Sequence, residues 1–231
     1  MEKKSDKKSY EKVLEYVKAS VLNGELKIGS RLEPERQLAA KLNVGRYSVR
    51  EALRVMEDMG IVQCRHGDGN YISGNFSESL LRFISMFILL KKPEFKMVNS
   101  LRRGLEGEAL MGFINMAKPE AMGRLELCIE NMKNGGAKQS AVYDSLFHRY
   151  ICELSGNSLL SDVLCVLSEA TESAIGGVWV GITDTDRTRL IKSHEAILGA
   201  LVAGNSAEAL AAMRNHYDIV NDIYETKGEL I

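Results

Sequence analysis

The sequence lacks the features that mark secreted and membrane-spanning proteins. Its 231 residues contain only four cysteines and no CxxC pair, so reduced thiols are expected rather than a disulfide framework. The longest apolar stretch, residues 83–90, is too short to span a bilayer and predicts a buried helix or a dimer contact. The first twelve residues lack the apolar core of a secretory signal. Together these absences predict a cytoplasmic protein that does not associate with a membrane.

The chain also lacks a large net charge of either sign, because its formal net charge is only −1. The composition therefore gives no global signal for nucleic-acid binding. Charge is unevenly distributed, however, with a net +3 in residues 1–75 and a net −4 in residues 76–231. This asymmetry fits a DNA-binding domain at 1–75, a hinge at Ser73-Gly74-Asn75, and a second domain at 76–231 that does not bind DNA.

Residues 31–73 have the layout of a winged helix-turn-helix, a module that lays its second helix in the DNA major groove. Pro34 lies near the first turn of one helix, where proline is tolerated, and Gly60 ends the next helix. A glycine-rich tip, 66–69, separates two short strands. The predicted elements are a leading helix at about 10–22, helices at 35–42 and 46–59, and strands at 61–65 and 70–73.

The helix that begins near residue 46 carries two separate faces. Arg46, Arg50 and Arg54 recur every four residues, and at about 100° per residue their centre lies roughly 120° from the centre of an apolar stripe. A guanidinium group can bridge two guanine acceptors in the major groove. The alternative is an ordinary solvated amphipathic helix. The apolar stripe consists of Val49, Ala52, Leu53, Met56 and Met59.

The stretch LEPERQLAAKLNVGRYSVREALRVMEDMGIVQCRHGDG resembles the DNA-binding domain of the GntR family. The match includes the Glu35-Arg36 pair, the Arg-x-x-x-Arg-Glu-Ala-Leu core and the Gly-Ile that follows the helix. Two positions depart from the family pattern, since Tyr47 replaces a small hydroxyl residue and Ser48 replaces proline. The resemblance implies a DNA-binding role for Arg36, Arg46, Tyr47, Ser48, Arg50 and the wing-tip residues His66 and Gly67.

Residues 76–231 read as helix after helix without a convincing strand, which predicts an antiparallel bundle of about six to seven helices. The overall fold class is therefore mostly α. Caps and helix-ending glycines predict a kink at Gly176-Gly177 within one of these segments. The predicted helices are 77–90, 94–116, 119–132, 140–154, 159–180, 185–202 and 207–227.

Three of the four histidines lie in these predicted helices, at His148, His194 and His216. Asp144 precedes His148 by four residues, so both project from one helix face. Imidazole and carboxylate groups from facing helices are how bundles build metal sites. The spacing alone leaves two commoner alternatives open: isolated surface or core-edge histidines, and an ion pair on a helix face.

The second half is similar to the FadR C-terminal (FCD) domain, the helical effector module of the FadR subfamily. The matching segments are SLRRGLEGEAL, DSLFHRYICELSGN, SHEAILGAL and AAMRNHYDIV. In metal-binding members the four ligands correspond to Asp144, His148, His194 and His216. The resemblance also implies a small carboxylate effector bound by Arg102, with Arg103 as the alternative. A surface ion pair between Arg102 and Glu106 would instead give this arginine a structural role.

These observations predict a ligand-responsive transcription regulator that is not an enzyme. It would bind double-stranded DNA at an inverted repeat as a homodimer and hold a divalent zinc, nickel, manganese or iron ion. One alternative is a DNA-binding protein with a purely structural metal. The other is a helical metal-dependent hydrolase, which the sequence disfavours because Glu153, the nearest downstream carboxylate, points to another helix face.

Overall fold

The chain is described here by a computed structural model that covers residues 9–116, 119–170 and 172–227. These ranges contain eleven helices and one two-stranded sheet, so the predicted mostly α fold is confirmed. Residues 1–8, most of the N-terminal stretch considered above, lie outside the described residues, as does residue 171 within the predicted helix at 159–180. None of the described helices has the length and apolar character needed to cross a membrane.

The first compact unit, which ends at Phe83, is a helix-turn-helix with a two-stranded wing. Its antiparallel strands pair Val62 with Ile72 and Arg65 with Gly69. One apolar core joins the helices and the wing, and it includes Val13, Leu38 and Met56. The elements are α1 (Ser9–Leu22), α2 (Glu35–Leu42), α3 (Arg46–Asp58), β1 (Val62–Arg65) and β2 (Gly69–Ile72).

The end of α3 depends on a glycine, as predicted. Gly60 has a φ of +72°, and a Cβ atom at this position would fall 2.4 Å from the carbonyl oxygen of Asn75. Both observations exclude a side chain here without rearrangement. The predicted apolar stripe is wrong at one position, because Met59 lies beyond the last helical residue and is 51% exposed.

Helix α4 (Ser77–Lys91) follows the wing and contains the boundary between the two compact units. The side chains of Ser79 and Arg82 donate hydrogen bonds to the carbonyl oxygen of Asp58 at the end of α3. The start of α4 is thereby held on the first unit, which extends beyond the predicted boundary at residue 75. No residue of α4 is buried in the single chain, so the prediction of a buried helix at 83–90 is wrong.

The second compact unit is a helical bundle, in which α5 packs on α7 and α11, α6 on α7, and α10 on α11. Its core is continuous and includes Phe113, Phe147 and Tyr217, each nearly fully buried. The helices after α4 are α5 (Phe95–Met116), α6 (Pro119–Asn134), α7 (Ala137–Glu153), α8 (Ser158–Ala170), α9 (Glu172–Trp179), α10 (Asp184–Val202) and α11 (Ser206–Lys227).

Within the segment predicted as one helix at 159–180, the described residues on either side of residue 171 are helical, over α8 and α9. Gly176 and Gly177, where a kink was predicted, both lie within α9. Glycine lowers helix stability but does not prevent a helix whose other side chains are buried. Here Val178 and Trp179 at the end of α9 are almost fully buried and anchor it to the bundle.

Arg187, which is distant in the chain, caps the C-terminal end of α6. Nη2 of Arg187 lies 2.6 Å from the carbonyl oxygens of both Met132 and Gly135. These carbonyl groups belong to the end of a helix, where they lack partners within the helix and carry partial negative charge. The guanidinium group of Arg187 therefore ties α10 to α6 through charge-assisted hydrogen bonds.

Replacing this contact should reduce stability measurably. We expect Arg187→Ala to lower the free energy of unfolding by about 1–3 kcal/mol, since it leaves part-buried carbonyl groups without a cationic donor. Chemical denaturation followed by circular dichroism measures the change. Arg149→Ala is the matched control, because Arg149 makes only a half-exposed pair with Glu153 at 3.3 Å and such pairs contribute about 0–1 kcal/mol. Equal effects of the two substitutions would contradict the assignment.

Candidate DNA-binding surface and metal centre

The exposed face of α3 presents the arginines that the sequence singled out. Arg46, Arg50 and Arg54 are all exposed. The opposite face is buried through Val49, Ala52, Leu53 and Met56. The structure therefore separates an apolar face from a basic face on the same helix, as the periodicity predicted.

Arg50 has a defined partner on the preceding helix. Its Nε donates a hydrogen bond to Oε2 of Glu35 at 2.7 Å, while the arginine side chain stays 70% exposed. The bond engages Nε and uses neither of the two terminal nitrogens. This end of the group is the one that makes a bidentate contact with guanine.

The other predicted DNA-contacting residues surround this helix. Arg36 is exposed on α2, Tyr47 is 79% exposed, and Ser48 is partly buried at the start of α3. His66 and Gly67 are exposed at the wing tip. Gly67 has a φ of +75°, which favours glycine in this tight turn.

A second group of functional side chains lies inside the helical bundle. Asp144 and His148 on α7, His194 on α10 and His216 on α11 are all buried, and their candidate ligand atoms lie within 4.8 Å of one another. The structure thus brings together all four residues that resemblance selected. Neither surface histidines nor a simple ion pair on one helix describes this arrangement.

Two of the histidines have their Nδ1 atoms engaged by groups outside the cluster. Nδ1 of His148 lies 2.5 Å from Oε2 of Glu106, and Nδ1 of His194 lies 2.9 Å from the carbonyl oxygen of Leu190. A carbonyl or a carboxylate accepts hydrogen bonds, so each Nδ1 carries the proton. Nε2 is the nitrogen left to coordinate a metal in both rings.

His216 is fixed in the same way by a serine. Ser193 Oγ donates its proton to the carbonyl oxygen of Leu190 at 2.6 Å. The same Oγ lies 2.9 Å from Nδ1 of His216 and must therefore accept a proton from it. All three rings consequently share one tautomer, with the proton on Nδ1.

This arrangement places two buried electron-rich atoms close together, and a bound cation would remove their repulsion. Nε2 of His194 lies 3.1 Å from Oδ1 of Asp144 but has no hydrogen-bond partner among the described residues. With the proton on Nδ1, a nitrogen lone pair faces a carboxylate oxygen. A divalent ion between such groups converts their repulsion into coordination, so the residues fit a metal.

The protonation states around the cluster suit metal binding. Burial lowers the pKa of His216 well below its usual value and keeps this ring neutral. Burial alone would raise the pKa of Asp144, but the nearby guanidinium group of Arg102 acts in the opposite direction and the pKa lies below its usual value. A neutral imidazole and an ionised carboxylate are the forms that bind metals.

Arg102 lines the same cavity as Asp144, His148 and His216. It forms the expected i,i+4 ion pair with Glu106 at 3.2 Å, but the pair is buried, since the two side chains are only 4% and 1% exposed. Its Nε has no hydrogen-bond partner among the described residues. Arg103, the alternative, instead pairs with Asp218 at 3.5 Å and is partly exposed.

Both halves of the chain match known protein families. Residues 9–72 match the family described as bacterial regulatory proteins, gntR family, and residues 98–219 match the FCD domain. The chain belongs to the GntR family. It is a DNA-binding transcription regulator with an FCD effector-binding domain.

Relatives and solved structures agree with this assignment. The regulator LutR of Bacillus subtilis is 30% identical over 88% of this chain and 95% of its own length. The putative L-lactate dehydrogenase operon regulatory protein of Escherichia coli is 25% identical over 91% of this chain and 84% of its own length. A Streptococcus agalactiae GntR structure has the same fold, with 22% identity, a TM-score of 0.58, and coverage of 93% and 97% of the two chains.

The relatives confirm the prediction that this GntR protein is a regulator and not an enzyme. Glu153, considered as a possible base, pairs with Arg149 at the surface. Sequence reasoning missed a closer carboxylate, Glu106. It accepts hydrogen bonds from Arg102, His148 and Tyr217. The available signal was its place in the segment SLRRGLEGEAL, which resembles the FCD domain.

Glu106 is ionised despite its burial. Desolvation alone would raise its pKa, but the adjacent His148 and Arg102 and the hydrogen bond from Tyr217 hold that pKa at about 2. The hydrogen bond from Tyr217 is 2.6 Å long. Glu106 therefore adds a negative charge directly beside His148, one of the candidate metal ligands.

The cavity at the centre of these residues is small, with a volume of about 10 Å³, which is room for about one water molecule. Its apolar wall is formed by residues of three helices of the FCD domain. Any organic ligand must therefore displace part of this wall. The apolar residues are Val178, Trp179, Leu190 and Val220.

Proposed function

We propose that this GntR protein is a cytoplasmic, homodimeric regulator whose affinity for an inverted-repeat operator is controlled by a small carboxylate. The acid would bind a divalent metal held by Asp144, His148, His194 and His216 and would be clamped by Arg102. The observation that carries the proposal is that Arg102 lines one buried cavity with three of the four candidate ligands, and that the ligand atoms of all four lie within 4.8 Å of one another. Four free cysteines support the location.

The metal would be held by three imidazole nitrogens and one carboxylate. When bound, it supplies positive charge and open coordination positions for an anionic ligand. This mixed set of nitrogen and oxygen donors suits zinc, nickel, manganese or iron. Nδ1 of each ring contacts Glu106, Leu190 or Ser193. These contacts fix the orientation of the rings with Nε2 free to coordinate, which reduces the entropic cost of ordering the ligands when the metal binds.

Charge balance supports a carboxylate as the effector. With neutral histidines, the charged groups of the cluster are Arg102, Glu106 and Asp144, which leave a net charge of −1. A divalent ion changes this to +1, and one carboxylate brings it to zero. Because uncompensated charge is costly in a buried site, a monoanion is the preferred partner of the metal-loaded cavity.

Homodimerisation is supported by the surface of α4. Its apolar side chains are unburied in the single chain, and Phe83 and Leu90 are 66% and 75% exposed. An apolar helix face of this kind marks a protein contact. Two copies related by a twofold axis would offer two recognition helices to an inverted repeat.

The regulatory step requires that the acid bind the DNA-competent and the DNA-incompetent forms with different affinities. A relative named for an L-lactate dehydrogenase operon supports placing L-lactate first among the candidate acids. Fluorescence anisotropy with operator DNA, with metal and a panel of two- and three-carbon acids, tests the proposal. If no acid changes the DNA affinity of the metal-loaded protein, a structural metal is the better description.

Sequence-specific DNA recognition should depend on Arg50 in particular. We expect Arg50→Ala to weaken binding to the specific site by about 1–3 kcal/mol and to relax base preference, because a bidentate guanine contact is lost. Anisotropy titrations on specific and random DNA measure both effects. Arg54→Ala removes the same charge from the same helix and should reduce both affinities alike. Equal losses on the two DNAs in Arg50→Ala would identify Arg50 as a phosphate contact instead.

A further inference from the structure

One carboxylate connects the metal ligands to the effector arginine. Oε2 of Glu106 accepts the hydrogen bond from Nδ1 of His148. Its Oε1 accepts hydrogen bonds from Nη2 of Arg102 at 3.2 Å and from the Tyr217 hydroxyl at 2.6 Å. Both oxygens are therefore occupied, and Glu106 forms hydrogen bonds with both parts of the site.

This contact changes what Arg102 can do in the metal-free protein. A buried guanidinium group with an unpartnered Nε would ordinarily attract an anion. Here its charge is already compensated by Glu106, and Asp144 lies in the same cavity with a further negative charge. An entering carboxylate would meet a site with a net charge of −1 in a poorly solvated environment, where repulsion is strong.

We propose that Glu106 masks Arg102 and thereby makes acid binding depend on prior metal binding. This inference rests on the proposed function of the site. The divalent ion reverses the sign of the cavity charge, and only then does the guanidinium group act together with the metal on a carboxylate. Such an order restricts the effector response to the metal-loaded protein.

Two substitutions separate the charge of Glu106 from its shape. Glu106→Gln keeps the size of the side chain but removes its negative charge, so that Arg102 loses its hydrogen-bonded counter-ion and the net charge of the metal-free site rises from −1 to zero. Glu106→Asp keeps the charge and shortens the side chain. Masking by charge predicts that only the glutamine variant gains acid binding without metal.

The test uses the full chain after chelator treatment and buffer exchange, with L-lactate as the probe in calorimetric titrations and lactamide as the neutral control. For wild type, zinc should strengthen L-lactate binding at least about fivefold. The usual coupling between two ligands is about 5–150-fold. Metal-free Glu106→Gln should bind L-lactate at least about tenfold more tightly than metal-free wild type. Metal-free Glu106→Asp and the double variant Arg102→Ala, Glu106→Gln should not show this gain.

Several outcomes would overturn the masking role. One is a folded Glu106→Gln variant that gains no metal-free binding, and another is an equal gain in Glu106→Asp. If the glutamine variant does not fold, the wild-type titrations still decide, because tight L-lactate binding by metal-free wild type contradicts masking. Failure of zinc-loaded wild type to bind any acid of the panel would instead overturn the proposed function, while the metal-free variants report on masking separately.

Discussion

The double substitution His194→Ala, His216→Ala should abolish divalent-metal binding by this protein. It removes two of four ligands, one from α10 and one from α11, and leaves only Asp144 and His148 on α7. Two ligands from one helix turn cannot complete the coordination of a buried ion. We therefore expect the metal content to fall from about one ion per chain to near zero.

Elemental analysis of purified protein, followed by zinc titration after chelation, measures this loss. His66→Ala is the matched control, because His66 is the one histidine of the chain outside the cluster and lies exposed on the wing. It should retain the full stoichiometry. Unchanged metal content in the double variant, with circular dichroism like that of wild type, would show that the ion binds elsewhere.

The second large effect is expected from Arg102→Ala, which should remove acid binding and retain the metal. The substitution deletes a buried cation in the proposed effector cavity but none of the four candidate metal ligands. It also makes the metal-loaded site neutral, so the electrostatic attraction for a carboxylate disappears. The loss should be about 100-fold or more, since two charge-assisted hydrogen bonds at about 1.5–3 kcal/mol each are removed.

Calorimetric titration of L-lactate into zinc-loaded protein measures the effect, beside a DNA shift assay with and without the acid. The unliganded variant should bind DNA nearly as wild type does. Arg103→Ala is the matched control, because Arg103 is the neighbouring arginine and pairs outside the cavity with Asp218. Neutral amide analogues should bind wild type much more weakly. If Arg102→Ala binds the acid as tightly as wild type, the clamp has been assigned to the wrong residue.

Local sequence patterns were sufficient for the DNA-binding unit. Pro34 at the start of α2, Gly60 after α3 and the glycine-rich tip of the wing are local signals, because each acts through the backbone conformation of its own residue. The apolar stripe of α3 was likewise visible from helical periodicity. It failed only at Met59, where the helix had already ended.

The candidate metal ligands could be predicted from sequence spacing only in part. Asp144 and His148 are four residues apart, so the helix period alone places them on one face. His194 and His216 come from other helices, and only the resemblance to the FCD domain joined them to that pair. Spacing along the chain could not predict their approach, because it depends on how α7, α10 and α11 pack.

The amino-acid sequence by itself determined the family, the mostly helical fold, the basic face of α3 and the residue types that suit a metal. The tertiary structure alone revealed the tautomers of the three histidines, the burial of the Arg102–Glu106 pair and the place of Ser193 beside His216. The physical reason is that helix periodicity is a property of neighbouring residues. Desolvation and hydrogen bonding inside the bundle instead depend on side chains far apart in the chain, and these contacts exist only after the helices have packed.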